Sequence, residues 1–137
     1  MATAPKTVRT TASVKTFIDS IPDETRRRDA QTVSRLMAKL SGERAAMWGP
    51  NIIGFGSRMI LGASGKGNPW PILAFSPRKP ALVLYLGRFP ERDALLKQLG
   101  KHKTTGGCTY IRNLDDVDVP TLSKLVVASL KKAYSAT

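Results

Sequence analysis

The 137-residue chain is poor in several things, and each shortage closes off a class of function. It has one cysteine, Cys108, so no disulfide can form within the chain. It has one histidine, His102, which excludes a histidine-rich metal centre. Acids are scarce, 10 Asp+Glu against 22 Lys+Arg, and that rules out an acidic, cation-buffering surface. Apolar runs are short: segments 81–86 and 125–128 fall far below a membrane span. Residues 1–12 lack the apolar block of about 7–15 residues that marks a secretory signal. A cytoplasmic, reducing location without a membrane partner is the expectation.

What remains is one ordinary domain with an excess of positive charge. The hydrophobic fraction is 42%, and a chain of this length buries roughly two thirds of its unfolded surface, enough for a core without staples. Residues 1–12 read as a flexible tail and 13–137 as a single domain. The formal charge of +12 makes anionic partners worth testing. Yet the excess is spread almost evenly, interrupted only around Asp115, Asp116 and Asp118. A dedicated nucleic-acid reader gathers its cations into a stripe. No such stripe is visible in the order of residues.

The pattern of apolar positions gives the fold class. A short helix over 14–20 presents Val14, Phe17 and Ile18. A second, with Ser20 as its cap, runs to about Leu40 on Ala30, Val33, Leu36, Met37 and Leu40, and ends at Ser41-Gly42. Its Arg26-Arg27-Arg28 run is a solvated face paired at i,i+4 with Asp23 and Glu24. Segments 58–63, 70–76, 81–86 and 108–112 read as strands with turn-forming links. A helix over 91–99 presents Ala94, Leu95 and Leu99 and stops at Gly100. A last helix, capped by Asp118, buries Leu122, Leu125, Val126, Leu130, Ala133 and Tyr134. The expectation is an α+β fold: an antiparallel sheet of about four to five strands with helices packed mainly on one face.

Few motifs carry chemistry. The glycine-rich stretch 62–67 fails as a phosphate loop, because Ile60 stands where the first glycine is needed and Gly67 replaces the Ser/Thr; it reads as a hairpin loop. Asp115, Asp116 and Asp118 precede a helix and serve as turn and cap residues. Cys108 and His102 lack a third orienting group for nucleophilic catalysis. Two basic segments stand out. Arg78 and Lys79 lie between Pro77 and Pro80, which stiffen the turn that presents them. Lys101, His102 and Lys103 follow a helix end, ahead of two threonines and Gly106-Gly107. On the next strand Cys108, Tyr110 and Arg112 alternate to one face while Thr109 and Ile111 take the other. Trp48 and Phe55, flanked by glycines, are core residues or pocket walls.

Several of these stretches are similar to one bacterial family. Trp48-Gly49, residues 54–57, Phe75-Ser76-Pro77-Arg78-Lys79 and Leu99-Gly100-Lys101-His102-Lys103-Thr104 resemble the YdhG-like family, a domain of unknown function. So do Cys108, Tyr110-Ile111 and residues 114–118. The resemblance extends from about Val14 to Tyr134 and implies the YdhG-like α+β fold. It departs from the family pattern at Arg58, where an aromatic is expected, and at Gly106-Gly107. One branch of the family is linked to iron delivery, a role that fits poorly with a basic chain holding single His and Cys residues.

The expected function is non-enzymatic binding of an anionic small molecule or phosphate-bearing ligand. Arg78, Lys79, Lys101, His102, Lys103 and Arg112 supply charge, Tyr110 a hydrogen bond, and Trp48, Phe55 and Cys108 the pocket walls. No catalytic residue, cofactor or metal ligand is assigned. Non-specific nucleic-acid association and iron delivery are the alternatives, and homodimerisation stays open. The single-site reading requires the turn at 77–80 and the loop at 100–107 to meet at one end of the sheet.

Overall fold

Short polar side chains start the first two helices. In the computed structural model, which describes residues 9–61 and 67–135, Ser13 caps α1 (Val14–Asp19) by accepting from the Thr16 N–H. Asp23 caps α2 (Glu24–Ser41), accepting from the Arg26 N–H at 2.7 Å. The cap of α2 is therefore Asp23 and not Ser20. Ser20 is engaged at the end of α1, where its hydroxyl donates to the Phe17 carbonyl at 2.6 Å. The α2 helix ends at Gly42, whose φ of 71° lets its N–H close on the Ala38 carbonyl. Arg27 reaches past the helix start and donates to the Ile21 carbonyl at 2.9 Å. The apolar stripes of both helices join the core as their spacing predicts.

Eight strands follow: β1 (Ala45–Trp48), β2 (Ile52–Phe55), β3 (Arg58–Leu61), β4 (Gly67–Trp70), β5 (Leu73–Pro77), β6 (Leu82–Tyr85), β7 (Lys103–Thr105) and β8 (Cys108–Ile111). Six of them form an antiparallel sheet in the order β1-β2-β5-β6-β8-β7. The sheet is larger than expected because β1, β2 and β7 are three or four residues long, too short for a periodic signal. Among the described residues β3 and β4 pair only with each other. Phe55 pairs with Leu73 and Arg58 with Trp70, three residues on in one strand and three back in the other. The hairpin thus continues β2 and β5 in the same register, bent at Gly56 (φ 68°) and Pro71. The run at 70–76 is accordingly two strands. Of the hairpin loop expected at 62–67, Gly67 belongs to β4 and residues 62–66 lie outside the described residues, as do residues 1–8 of the tail and the side chain of Tyr134.

Pairing register assigns the faces. Met47, Ile53, Phe55, Leu73, Phe75, Leu82, Leu84 and Ile111 share one face and are buried with the helices in a single core. Against this face pack α2 and α4 (Val119–Ser135), and α3 (Arg92–Leu99) packs on α4. In α3 the buried residues are Leu96 and Leu99, with Leu95 partly buried. Ala94 is exposed, because the helix leans on α4 through the 95–96–99 edge. Asp118 caps α4, accepting from the Thr121 N–H at 3.0 Å and from its hydroxyl, and these bonds hold its carboxyl below its ordinary pKa. Trp48, Gly54, Ala74, Tyr85, Cys108 and Tyr110 belong to the opposite face.

The sheet's edges differ. At β1, Arg9 bridges to Trp48 and the Thr10 N–H donates to the Met47 carbonyl at 2.8 Å, so the last part of the expected tail is tied down. At the other edge β7 is exposed along its whole length and carries Lys103, a charge that discourages strand addition. Among the described residues no helix is long and apolar enough to cross a membrane.

Candidate functional site

The loop after α3 passes through a place only glycine can occupy. Gly100 has φ 112°, and a Cβ there would lie 2.4 Å from the Asp116 carbonyl oxygen. The crossing is pinned on both sides. The Lys101 N–H donates to the Asp116 carbonyl at 3.2 Å, and the Asp118 N–H donates to the Leu99 carbonyl at 2.7 Å. Lys101 and His102 are thereby fixed where the chain enters β7. Because β7 runs antiparallel to β8, Lys103 pairs with Tyr110, near the end of β8 that leads to Arg112. That end lies beside the start of β6, since Leu82 pairs with Ile111.

Pro80 and Ala81, which lead into β6, close the other wall of a groove of about 720 Å³. Five of the seven expected ligand-binding residues line it: Lys101, His102, Lys103, Tyr110 and Arg112. Thr105, Asn113 and Asp116 line it too. Three full positive charges therefore face one acid. Tyr110 is half-buried while Lys101, Lys103 and Arg112 are exposed, so the groove presents mobile cations around a fixed phenol. His102 Nδ1 lies 2.8 Å from the Gly100 carbonyl, which can only accept. The proton is therefore on Nδ1, and neutral His102 offers Nε2 as an acceptor; the imidazolium offers a donor there. The chemistry available is multidentate hydrogen bonding to an anion.

Arg78 and Lys79 do not join this groove. They line a separate depression of about 630 Å³ with Arg26, Asn51 and Ser76. The expected site splits at the proline-flanked turn itself: Pro77, Arg78 and Lys79 face one depression while Pro80 and Ala81 face the other. The turn is held from below, where buried Ser76 donates to the Asn51 carbonyl at 2.7 Å. Arg78 also reaches the opposite face of the sheet, donating to the Tyr85 hydroxyl at 3.1 Å. Burial pushes the Tyr85 phenol above its ordinary pKa, against the pull of Arg78, so it stays protonated at neutral pH.

The wall candidates also separate. Phe55 is fully buried between sheet and helices, and Trp48 is 1% exposed. The missing side chain of Gly54 leaves a slot that the Trp48 indole fills; a Cβ there would come within 2.4 Å of Trp48 Cδ1. Neither residue lines the groove, the depression beside the 77–80 turn or the one that holds Cys108. Cys108 does, but at the other end of β8 from Arg112, in a depression of about 340 Å³. His102 and Cys108 thus face different cavities, and the pair is not assembled for nucleophilic chemistry. Cys108 is half-buried, whereas Thr109 and Ile111 are buried, as the alternation along β8 predicts.

Asn113 carried no signal in the sequence, while Asp116, expected only as a turn and cap residue, and Thr105, one of the two threonines ahead of Gly106-Gly107, both line the groove. Arg26 escaped because it belongs to a helix far from the turn in sequence. Among the described residues no group of three His, Cys, Asp or Glu side chains could hold a metal ion. Comparisons with protein-family models, with curated proteins and with solved structures each find no match to this chain.

Proposed function

We propose that this chain is a non-enzymatic binding domain of the YdhG-like α+β type whose β7–β8 groove takes a phosphate-bearing or other small anionic molecule. One observation supports the reading above the rest. Lys101, His102, Lys103, Tyr110 and Arg112, drawn from a loop, a strand and a strand end, line one concave surface with a single acid among them. Lysine and arginine donors around a fixed phenol suit a tetrahedral or planar oxyanion.

A thermal-shift panel of inorganic phosphate, nucleoside monophosphates and carboxylates tests it. A ligand at about a hundred times its Kd stabilises by ~2.7 kcal/mol. For 137 residues that corresponds to roughly 9 °C in Tm. Lys101→Ala and Arg112→Ala each reduce the shift, and Arg78→Ala leaves it unchanged. A panel without any stabilising anion, or a shift that Arg78→Ala abolishes, refutes the assignment to this groove.

Non-specific nucleic-acid association is the second reading, favoured by the two depressions that flank the 77–80 turn. Arg26, Arg78 and Lys79 line one, and Lys101, Lys103 and Arg112 the other. A polyanion crossing the turn would meet all six cations. Its affinity would then fall with salt at a slope near five in log–log terms, about 0.9 per phosphate neutralised. A flat salt dependence removes it.

A further inference from the structure

The cavity that holds Cys108 is cationic in its own right. Arg58, Arg88 and Lys132 line it, and among the described residues no carboxylate does. Its remaining walls are apolar or aromatic, chiefly Trp70, Pro71, Ile72 and Tyr85. Arg58 is anchored there, donating from Nη1 to the Ala133 carbonyl at 3.2 Å, while its buried Nε has no hydrogen-bond partner among the described residues. A buried guanidinium N–H without a partner calls for one. The last turn of α4 brings a partial negative charge of about half a unit to this region. The full charges of Arg58 and Arg88 outweigh it.

We infer that this cavity is a second, independent binding site for a small organic anion, one carboxylate or phosphate carried on a flat apolar body. The charged end meets Arg58 and Arg88, and the flat body lies against Trp70 and Tyr85. Its volume, about 340 Å³, lies at the small end of ligand-sized pockets. The site lies at the Cys108 end of β8, whereas the proposed groove lies at the Arg112 end, so either can fail without the other.

The only thiol of the chain lies in the wall and reports on the cavity directly. Alkylation rates of Cys108 are measured with anionic iodoacetate and neutral iodoacetamide, relative to free cysteine. The wild-type ratio of the two rates exceeds that of free cysteine. Removing one cation at about 6 Å in a water-like dielectric lowers the ratio roughly threefold. Arg58→Gln and the exposed Arg88→Gln each do so, and the second keeps the test valid if the first fails to fold. Phenyl phosphate or benzoate protects Cys108 from iodoacetamide, and Lys101→Ala leaves the protection intact. A wild-type ratio equal to that of free cysteine, or no protection by either probe at 10 mM (about the weakest affinity of interest), overturns the inference. So does protection that depends on Lys101 and not on Arg88.

Discussion

Gly54→Ala places a methyl group where the fold has no room, and the cost can be worked from the contacts. Gly54 has no left-handed backbone to strain, so the effect is steric alone. The new Cβ would lie 2.4 Å from Trp48 Cδ1, 2.6 Å from Trp48 Nε1 and 2.7 Å from Pro71 Cβ. Two of these atoms belong to a rigid indole that is 1% exposed, and the third to a proline ring at the bend of the hairpin. None is the free end of a flexible chain. Overpacking of this kind costs typically 1–3 kcal/mol, and two rigid neighbours put it at about 2–3. With about 2.1 cal/mol/K of unfolding entropy per residue over 137 residues, Tm falls by roughly 7–10 °C. Thermal denaturation followed by circular dichroism reads this directly. Trp48→Leu is destabilising alone, through the cavity it leaves, by about 3 kcal/mol. In the Gly54→Ala background it costs at least 1 kcal/mol less, because the methyl group occupies space the indole has vacated. A fall below about 2 °C for Gly54→Ala, or strict additivity in the double variant, would refute the packing of Trp48 on Gly54.

Asp29 accepts from the Leu114 N–H at 3.2 Å, yet burial raises its pKa above the ordinary 3.8, with Asp115 adding to the rise. A raised carboxylate pKa means the folded state holds the proton more tightly, so stability falls as pH climbs from 3.8 through the folded value. Asp29→Asn keeps an acceptor for Leu114 and removes the charge. It should raise Tm at pH 7 and lose that advantage below about pH 3.8; an equal gain at both pH values would contradict the assignment. Ser129, buried on α4, donates to the Leu86 carbonyl at 2.6 Å and ties the helix to the end of β6. Ser129→Ala leaves that carbonyl without this donor at a cost of about 1–3 kcal/mol, and an unchanged denaturant midpoint would show the bond is immaterial.

Helices were legible because their signals are local. Val14, Phe17 and Ile18, or Leu122, Leu125 and Val126, declare a face within one or two turns, and Gly42 and Gly100 declare ends. The strands that escaped notice are the ones whose reason for existing is elsewhere. β7 is wholly exposed, and nothing in Lys-Thr-Thr says strand until β8 lies beside it. β1 and β2 acquire their burial from α2 and from each other. The bend at Gly56 and Pro71 is also a tertiary event: the same pairing continues across it, but the ribbon leaves the sheet. For the site, the alternation of Cys108, Thr109, Tyr110 and Ile111 predicted which side chains would be accessible. It did not predict that Cys108 and Tyr110, on one face, would line different cavities. Arg58 and Lys132, far apart in sequence, meet only because the hairpin reaches the end of α4.

The positive charge is the clearest case of a property that changes meaning on folding. Along the chain it is nearly uniform, which argues against a nucleic-acid-binding stripe. In space, nine cations fall in threes: Arg26, Arg78 and Lys79; Lys101, Lys103 and Arg112; Arg58, Arg88 and Lys132. Antiparallel pairing is responsible, because each turn brings residues of remote sequence to one sheet end. Whether the threes act together depends on screening. The groove's Arg112 and the cavity's Cys108 stand at opposite ends of β8, four rises of roughly 3.3 Å or about 13 Å apart. At physiological salt the Debye length is about 8 Å, so charges at the two ends are largely hidden from each other. The field of one of these two clusters then does little for the other. On the proposed reading, a net charge of +12 placed in this way favours separate small anions at the groove and the Cys108 cavity over one long anion bridging the two.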